Sequence, residues 1–443
     1  MSGSNVHKMF RPLRALGAFR LPVLLLLLLT VLAAVPGVRG ASATPNIAEF
    51  IIPVALTEPG HLAYGHDGAY WFTEFDAKSI GRVTTNGFIT SFVIPSYNAQ
   101  PYGIVNGPDN NLWLTESQAN KIARLTTAGV FTEFTIPTTN NLPAGITVGP
   151  DNRLWFTELN TGKIGVIPTT ATSGAAIKQY NVSTNPNCLL YNIVTGPDGN
   201  LWFTDAGLGR IWTISPNGTN LKFFQLAANS KPFDLTSDRT NNVIWFTEYG
   251  SNKIGRLDVT AFTNNPTGPN VVMEFRLPPS TIIGITNSQP YGITMGPDGF
   301  PWFTEYLGGN LGHITNHVTI TTNGSTTSLV IGEFFLPTTN AVPTYITSGG
   351  DGRLWFSEFS ANKIGRYTFP PPPPPAPQVA ISFSRPSQIV ISWPTNAAGF
   401  HLQTRSSMNG SSWMNVTNAP GVAGGKFTVT NSATGDSFYR LMK

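Results

Sequence analysis

Gln100-Pro101-Tyr102-Gly103-Ile104, Gly107-Pro108-Asp109-Asn110, Leu112-Trp113-Leu114-Thr115-Glu116, Lys121-Ile122-Ala123-Arg124 and Glu133-Phe134-Thr135-Ile136-Pro137 follow one another in the chain and decide its fold. Runs rich in aromatic and β-branched residues are separated by Asp, Asn and Gly, which tolerate the positive φ of tight hairpin turns. The stretch reads as four short antiparallel strands. Its Trp strand recurs as Trp-Phe-Thr-Glu or a near copy, with Trp71, Trp113, Trp155, Trp202, Trp245, Trp302 and Trp355 spaced 42 to 57 residues apart. A period of this size marks a solenoid, a propeller or an array. Four antiparallel strands repeated radially make a β-propeller blade.

The chain ends separate a propeller from a linear solenoid. The last repeat supplies its Trp355 strand and Lys363-Ile364-Gly365-Arg366, then enters proline without a Glu-Phe-x-Ile-Pro strand. That strand stands at the other end, as Glu49-Phe50-Ile51-Ile52-Pro53. Pairing it with the last blade closes the ring and removes both sheet edges. The expected fold class is all-β: a seven-bladed β-propeller over residues 46–369, its N-terminal strand closing the last blade, plus a small C-terminal β-sandwich. Residues 370–377 read as a stiff proline-rich linker. Strand-like runs at 379–384, 389–393, 401–404, 427–430 and 438–441 fit an immunoglobulin- or fibronectin-like sandwich over 378–443.

Composition agrees with short strands and uncharged turns. Of 443 residues, 11% are charged against a typical ~25%, with 44 Gly and 36 Pro. This excludes coiled coils, long solvated helices and charged disorder. Residues 1–43 read as a signal peptide: Lys8, Arg11, Arg14 and Arg20 precede an apolar run over 21–35 that is shorter than the roughly 20 residues a membrane span needs. Five basic residues and no acids lie before Ala41, so the remainder carries 22 basic against 23 acidic side chains. The formal charge of +4 therefore belongs to the leader, and nucleic acid loses its support as a partner. The expected protein is a secreted or extracytoplasmic monomer, cell-surface association being open, with no membrane span after cleavage. The lone Cys188 cannot form an internal disulfide.

Ligands of propellers gather where the innermost strands begin, over the central channel. Aligned on Ile104, the repeats place Gly60, Tyr102, Ala144, Tyr191, Phe233, Tyr291 and Thr344 around the ring. Tyr102, Tyr191, Phe233, Tyr291 and the neighbouring Tyr345 are the candidate substrate-binding residues, because such side chains offer a large face and, in Tyr, a polar tip. The alternative is a plug of the channel mouth. Each Trp strand ends in a carboxylate, at Glu74, Glu116, Glu158, Asp205, Glu248, Glu305 and Glu358. Sevenfold repetition points first to architecture, binding turn amides or a nearby Lys or Arg. Glu358 is the candidate metal ligand among them. His61, one position after the ring column, is the candidate catalytic base, against a reading as a loop residue. No His-x-x-His, Gly-x-Ser-x-Gly, P-loop or Rossmann motif is present.

Taken together, Gln-Pro-Tyr-Gly-Ile-Thr, Gly-Pro-Asp-Gly-x-Leu-Trp-Phe-Thr-Glu, Asn-Lys-Ile-Gly-Arg and Glu-Phe-x-Ile-Pro closely resemble the virginiamycin B lyase (streptogramin lyase) family over about residues 46–369. The resemblance implies a seven-bladed propeller. It also implies an activity, the linearisation of cyclic streptogramin B depsipeptides by elimination at the ester, with a bound magnesium and a histidine base. In the family that base is the His of a Pro-His-Gly-Ile segment in the ring column, and a Glu just before the Pro is among the metal ligands. The matching segments here are Pro101-Tyr102-Gly103, Pro143-Ala144-Gly145, Pro290-Tyr291-Gly292 and Val342-Pro343-Thr344-Tyr345. None keeps the His, and Val342 stands where the Glu would be. The expected function is a lyase-like propeller that binds a small molecule, peptide or glycan at its central funnel. The alternative is a carbon–oxygen lyase of the same family's type, and magnesium is the cofactor only in that case.

Overall fold

The structure is a computed structural model that describes residues 46–278, 287–315, 331–370, 380–385, 388–395, 400–405, 412–432 and 438–442. The expected signal peptide and residues 371–377 of the expected linker lie outside these. The chain divides into two compact units, up to Arg366 and from Tyr367 onward.

The first unit holds seven four-stranded antiparallel sheets among its described residues. In the second, Pro101–Asn106, Leu112–Glu116, Lys121–Leu125 and Phe131–Thr135 pair in chain order, with Trp113 opposite Arg124 and Ala123 opposite Glu133. The innermost strands are Pro59–Tyr64, Pro101–Asn106, Pro143–Val148, Leu190–Thr195, Pro232–Asp238, Pro290–Met295 and Pro343–Ser348. Each packs on the next, and the last packs on the first, so the sheets form a closed ring.

The N-terminal strand Ile47–Ile51 completes the seventh sheet beside Lys363–Tyr367. Two chemistries hold it there. Phe50 stacks on Trp355 at 5.6 Å, and the Glu49 carboxylate takes Lys363 Nζ at 2.7 Å and the Thr338 amide at 2.9 Å. The second sheet repeats this clamp within one stretch of chain, Glu133 taking Lys121 Nζ at 2.6 Å and the Ser96 amide at 3.0 Å. Residues 47–51 thus supply what the seventh repeat lacks.

The repeated Trp explains why each sheet has its own core. All seven indoles are buried. In six, the indole N–H donates to the Asp of the preceding turn at 2.9–3.2 Å (Asp67, Asp109, Asp151, Asp198, Asp298 and Asp351). An aromatic ring from the outermost strand covers the face, as Phe92 does for Trp71 at 5.3 Å and Phe134 for Trp113 at 5.5 Å. Next to the Trp, Phe72, Phe156, Phe246, Phe303 and Phe356 each lie over a glycine of the third strand: Gly81, Gly165, Gly255, Gly312 and Gly365. A Cβ at Gly165 would stand 2.1 Å from the Phe156 ring. The second sheet has Leu114 in place of Phe, and there Ala123 replaces the glycine. Size lost on one strand is returned on its neighbour, as close packing requires.

The sheets are joined to one another by hydroxyls. Each innermost strand opens with a bulge in which two residues face one on the Trp strand; Pro101 pairs with Glu116, but the next pair is Ile104 with Leu114. Thr115 faces the bulge. Its hydroxyl accepts from the Gly103 amide at 2.9 Å and donates to the Ala144 carbonyl of the next sheet at 2.6 Å. Thr157, Thr204 and Thr247 do the same toward Tyr191, Phe233 and Tyr291. At closure, Ser357 accepts from the Tyr345 amide at 3.1 Å and pairs with Thr344 Oγ1 at 2.7 Å, and Thr344 Oγ1 reaches the Pro59 carbonyl at 3.5 Å.

The second unit has a four-stranded sheet, in the order Ala380–Arg385, Gln388–Pro394, Lys426–Ser432, Gly421–Ala423. A three-stranded sheet places His401–Arg405 between Met414–Asn415 and Phe438–Met442. Ile389, Ile391, Trp393 and Val429 of the first share one apolar cluster with Leu402 of the second.

The Phe–Gly pairing is testable by exchange. Gly165→Ala should cost about 1–3 kcal/mol through overpacking, and adding Phe156→Leu, which rebuilds the natural pair of the second sheet, should recover part of that loss in denaturant melts. Equal destabilisation by the single and double variants would contradict the packing account.

Candidate functional site

The opening bulges do more than join sheets. Two consecutive residues sit opposite one hydroxyl: Gly60-His61, Tyr102-Gly103, Ala144-Gly145, Tyr191-Asn192, Phe233-Asp234, Tyr291-Gly292 and Thr344-Tyr345. In the middle five the first residue carries the ring or methyl. In the first and last the order reverses, with a small residue followed by His61 or Tyr345. A sequence column fixed on the first position therefore finds Gly60 and Thr344 where the structure places an imidazole and a phenol one residue later.

Together these side chains make a continuous aromatic cluster. His61 stacks on Tyr345 with ring centroids 3.5 Å apart and tilts against Tyr102 at 4.9 Å. Tyr345 Oη donates to Tyr102 Oη at 2.7 Å. Around the other side, Tyr191 meets Phe233 at 4.7 Å, Phe233 meets Tyr291 at 4.0 Å, and Tyr291 meets Tyr345 edge-on at 5.3 Å. All six line one cavity of about 360 Å³. They bury one another and also form the wall of an open space.

Burial sets the charge state of this wall. It pushes the Tyr102, Tyr291 and Tyr345 phenols well above their ordinary range and Tyr191 to about 12, so all remain protonated. It lowers His61 from 6.5 to about 3, and the His61 Nε2 is buried with no hydrogen-bond partner. The imidazole is neutral at physiological pH. Asp234 turns away from this pattern: its carboxylate accepts the Leu235 amide at 2.8 Å and the Ile293 amide of the next sheet at 2.9 Å, while burial raises it to about 7.

The seven strand-end carboxylates are all fully buried. Asp205 takes the Leu189, Gly207 and Leu208 amides at 3.0–3.1 Å. Glu74, Glu158 and Glu248 instead take side chains, from Ser79 at 2.6 Å, Gln179 at 2.7 Å and Ser251 at 2.7 Å. Glu116, Glu305 and Glu358 have no hydrogen-bond partner on either oxygen, and burial raises them to about 8, 7 and 8. Glu358 does not line the cavity. No group of three His, Cys, Asp or Glu side chains among the described residues stands close enough to hold a metal ion.

A second tier of rings escaped the sequence reading. Phe75, Tyr249, Tyr306 and Phe359 line the cavity above the first tier, and each directly follows the strand-end acid. Tyr306 stacks on Tyr291 at 5.3 Å, and Tyr249 meets it edge-on at 6.0 Å. Extending the repeated tetrapeptide by one position would have shown them. Glu58 and Lys231 also line the cavity.

Comparison with known proteins follows the same ring. The family model described as the virginiamycin B lyase family matches residues 38–238 and 240–370. The chain belongs to that family. Its sheets are accordingly those of a β-propeller family. A solved streptogramin B lyase is 32% identical, with a TM-score of 0.61 over 73% of this chain and 97% of that one. Virginiamycin B lyase from Staphylococcus aureus is 29% identical, with a TM-score of 0.61 over 73% and 99%. A catalytically inactive histidine-to-alanine variant of the Staphylococcus aureus enzyme, solved with quinupristin, is 28% identical over the same shares. No curated protein matches the sequence at a significant level. No helix among the described residues is long and apolar enough to cross a membrane.

The burial of His61 has a measurable sign. The unfolded chain takes up a proton near pH 6.5 that the folded chain refuses until about 3. Its contribution to stability is therefore present above 6.5 and lost as pH falls. The His61 ring signals in NMR should stay those of a neutral imidazole from about pH 8 to about pH 5; a midpoint near 6.5 would contradict the buried placement.

Proposed function

We propose that this virginiamycin B lyase family member is a secreted or extracytoplasmic, monomeric, seven-bladed propeller that binds a small molecule, peptide or glycan in its central cavity. Its C-terminal unit reads as a small sandwich that makes cell-surface association a natural role. The observation that carries the binding reading is the convergence of Tyr102, Tyr191, Phe233, Tyr291, Tyr345 and neutral His61 on one cavity. A volume of about 360 Å³ lies within the roughly 300–1,000 Å³ of small-molecule sites. Flat faces with a few hydroxyls and one imidazole suit a ligand that is ring-bearing or amide-bearing and uncharged at its centre.

The second reading, a carbon–oxygen lyase, draws support from family membership and from His61 inside the cavity. Elimination needs a group to take a proton and help for the departing carboxylate. An imidazole whose protonation is suppressed to about 3 is a weak base. Thr344 and Val342 stand where the family's His and Glu would be. Glu358, the candidate magnesium ligand, is not part of the cavity lining. Binding is the better-supported reading.

Truncating the wall tests it. With a ligand found by calorimetric screening of streptogramins, peptides and glycans, Tyr102→Ala and Tyr291→Ala should each weaken binding by about tenfold or more, with the unfolding transition kept cooperative. Undiminished binding by both variants would reduce the rings to a plug of the channel.

A further inference from the structure

Among the described residues, the charge-bearing side chains lining the cavity besides His61, which is held neutral, are Glu58 and Lys231. They occupy the same structural position in two different sheets. Each immediately precedes the Pro that opens an innermost strand, and each has a left-handed backbone, with φ of 53° and 46°. Residues other than glycine seldom adopt this conformation, and where they do the surroundings hold them in it. The Glu58 carbonyl accepts the Phe75 amide at 3.2 Å, tying the charge to the second aromatic tier. The Lys231 stem lies over Gly250, where a Cβ would stand 3.0 Å from Lys231 Cγ. The rim therefore presents both charges on a fixed backbone.

Their separation is informative. Glu58 opens the first sheet and Lys231 the fifth, so two sheets part them by the shorter way round, the most that a ring of seven allows. A negative and a positive group face each other across a neutral aromatic bowl. A ligand with an ammonium at one end, a carboxylate at the other, and flat or apolar groups with amides between them satisfies both ends and the middle.

Resting on the binding reading above, we infer that the cavity takes a short linear peptide with free termini and an aromatic side chain, its ammonium end at Glu58 and its carboxylate end at Lys231. The Tyr hydroxyls and the His61 Nε2 then face the peptide amides, and the second tier of rings faces its side chains.

The test uses the chain without its leader and L-phenylalanyl-L-phenylalanine as the probe, titrated by calorimetry beside its N-acetyl, C-amide and doubly capped forms. Acetylation and amidation should each weaken binding about tenfold. Glu58→Gln should remove the penalty for acetylation alone, and Lys231→Met the penalty for amidation alone. Because the capped ligands are compared on one unaltered protein, the inference does not depend on a variant folding. A doubly capped dipeptide that binds as tightly as the free one overturns the charge assignment and leaves the cavity reading standing. The same holds if no dipeptide binds while an uncharged ligand does, and loses its affinity in Tyr102→Ala. Failure of every ligand in the screen would overturn both.

Discussion

From the second sheet to the sixth, a threonine hydroxyl near the end of the Trp strand satisfies two backbone groups that the bulge beside it leaves outside the ladder. It accepts an amide from its own sheet and gives its proton to a carbonyl of the next, as Thr115 does between Gly103 and Ala144. Both groups are buried, and an unmet donor or acceptor there costs about 1–3 kcal/mol. The bulge and the junction between sheets therefore stand or fall together. Everything at the centre follows from this. The bulges bring ring-bearing residues together, the hydroxyls hold neighbouring sheets close, and the closed ring turns six separate rings into one cavity wall. Closure itself uses two hydroxyls in series, Ser357 and Thr344, where the other junctions use one.

Most of the sheet architecture was legible from the repeat. The Trp column, the Asp turns and the Glu-Phe-x-Ile-Pro strand each have a short-range physical meaning, and the strand displaced to residues 49–53 pointed to closure before any coordinates. What was not legible depends on register. A bulge lets a ring come from either of two positions, so Gly60 and Thr344 occupied the expected column while His61 and Tyr345 supplied the side chains. The rings at Phe75, Tyr249, Tyr306 and Phe359 were hidden for a different reason: they follow a conspicuous motif and vary in identity, as Ser117, Leu159 and Ala206 at the same position show. The strand-end acids were expected to hold turn amides or a nearby Lys or Arg, and only Asp205 takes amides, while Glu74, Glu158 and Glu248 take Ser or Gln side chains. Glu116, Glu305 and Glu358 find no hydrogen-bond partner, which only three-dimensional neighbours could reveal.

The centre of this protein separates family from chemistry. The ring, the Trp cores and the junctions match the virginiamycin B lyase family along most of the chain. Neither Thr344 nor Val342 carries an ionisable side chain, and the His61 imidazole in the cavity is kept neutral by its own burial among phenols. Tyr345 and Tyr102, the two rings packed on it, close a hydroxyl pair with each other.

Incubation of the leaderless chain with a streptogramin B, with and without magnesium, followed by chromatography with mass detection, tests this most directly. Elimination opens the ring without adding water, so its product has an unchanged mass but carries a new carboxylate and carbon–carbon double bond, whereas hydrolysis adds a water. The account predicts the cyclic compound recovered intact under both conditions. A linear isomer that accumulates with time and disappears in His61→Ala would contradict it.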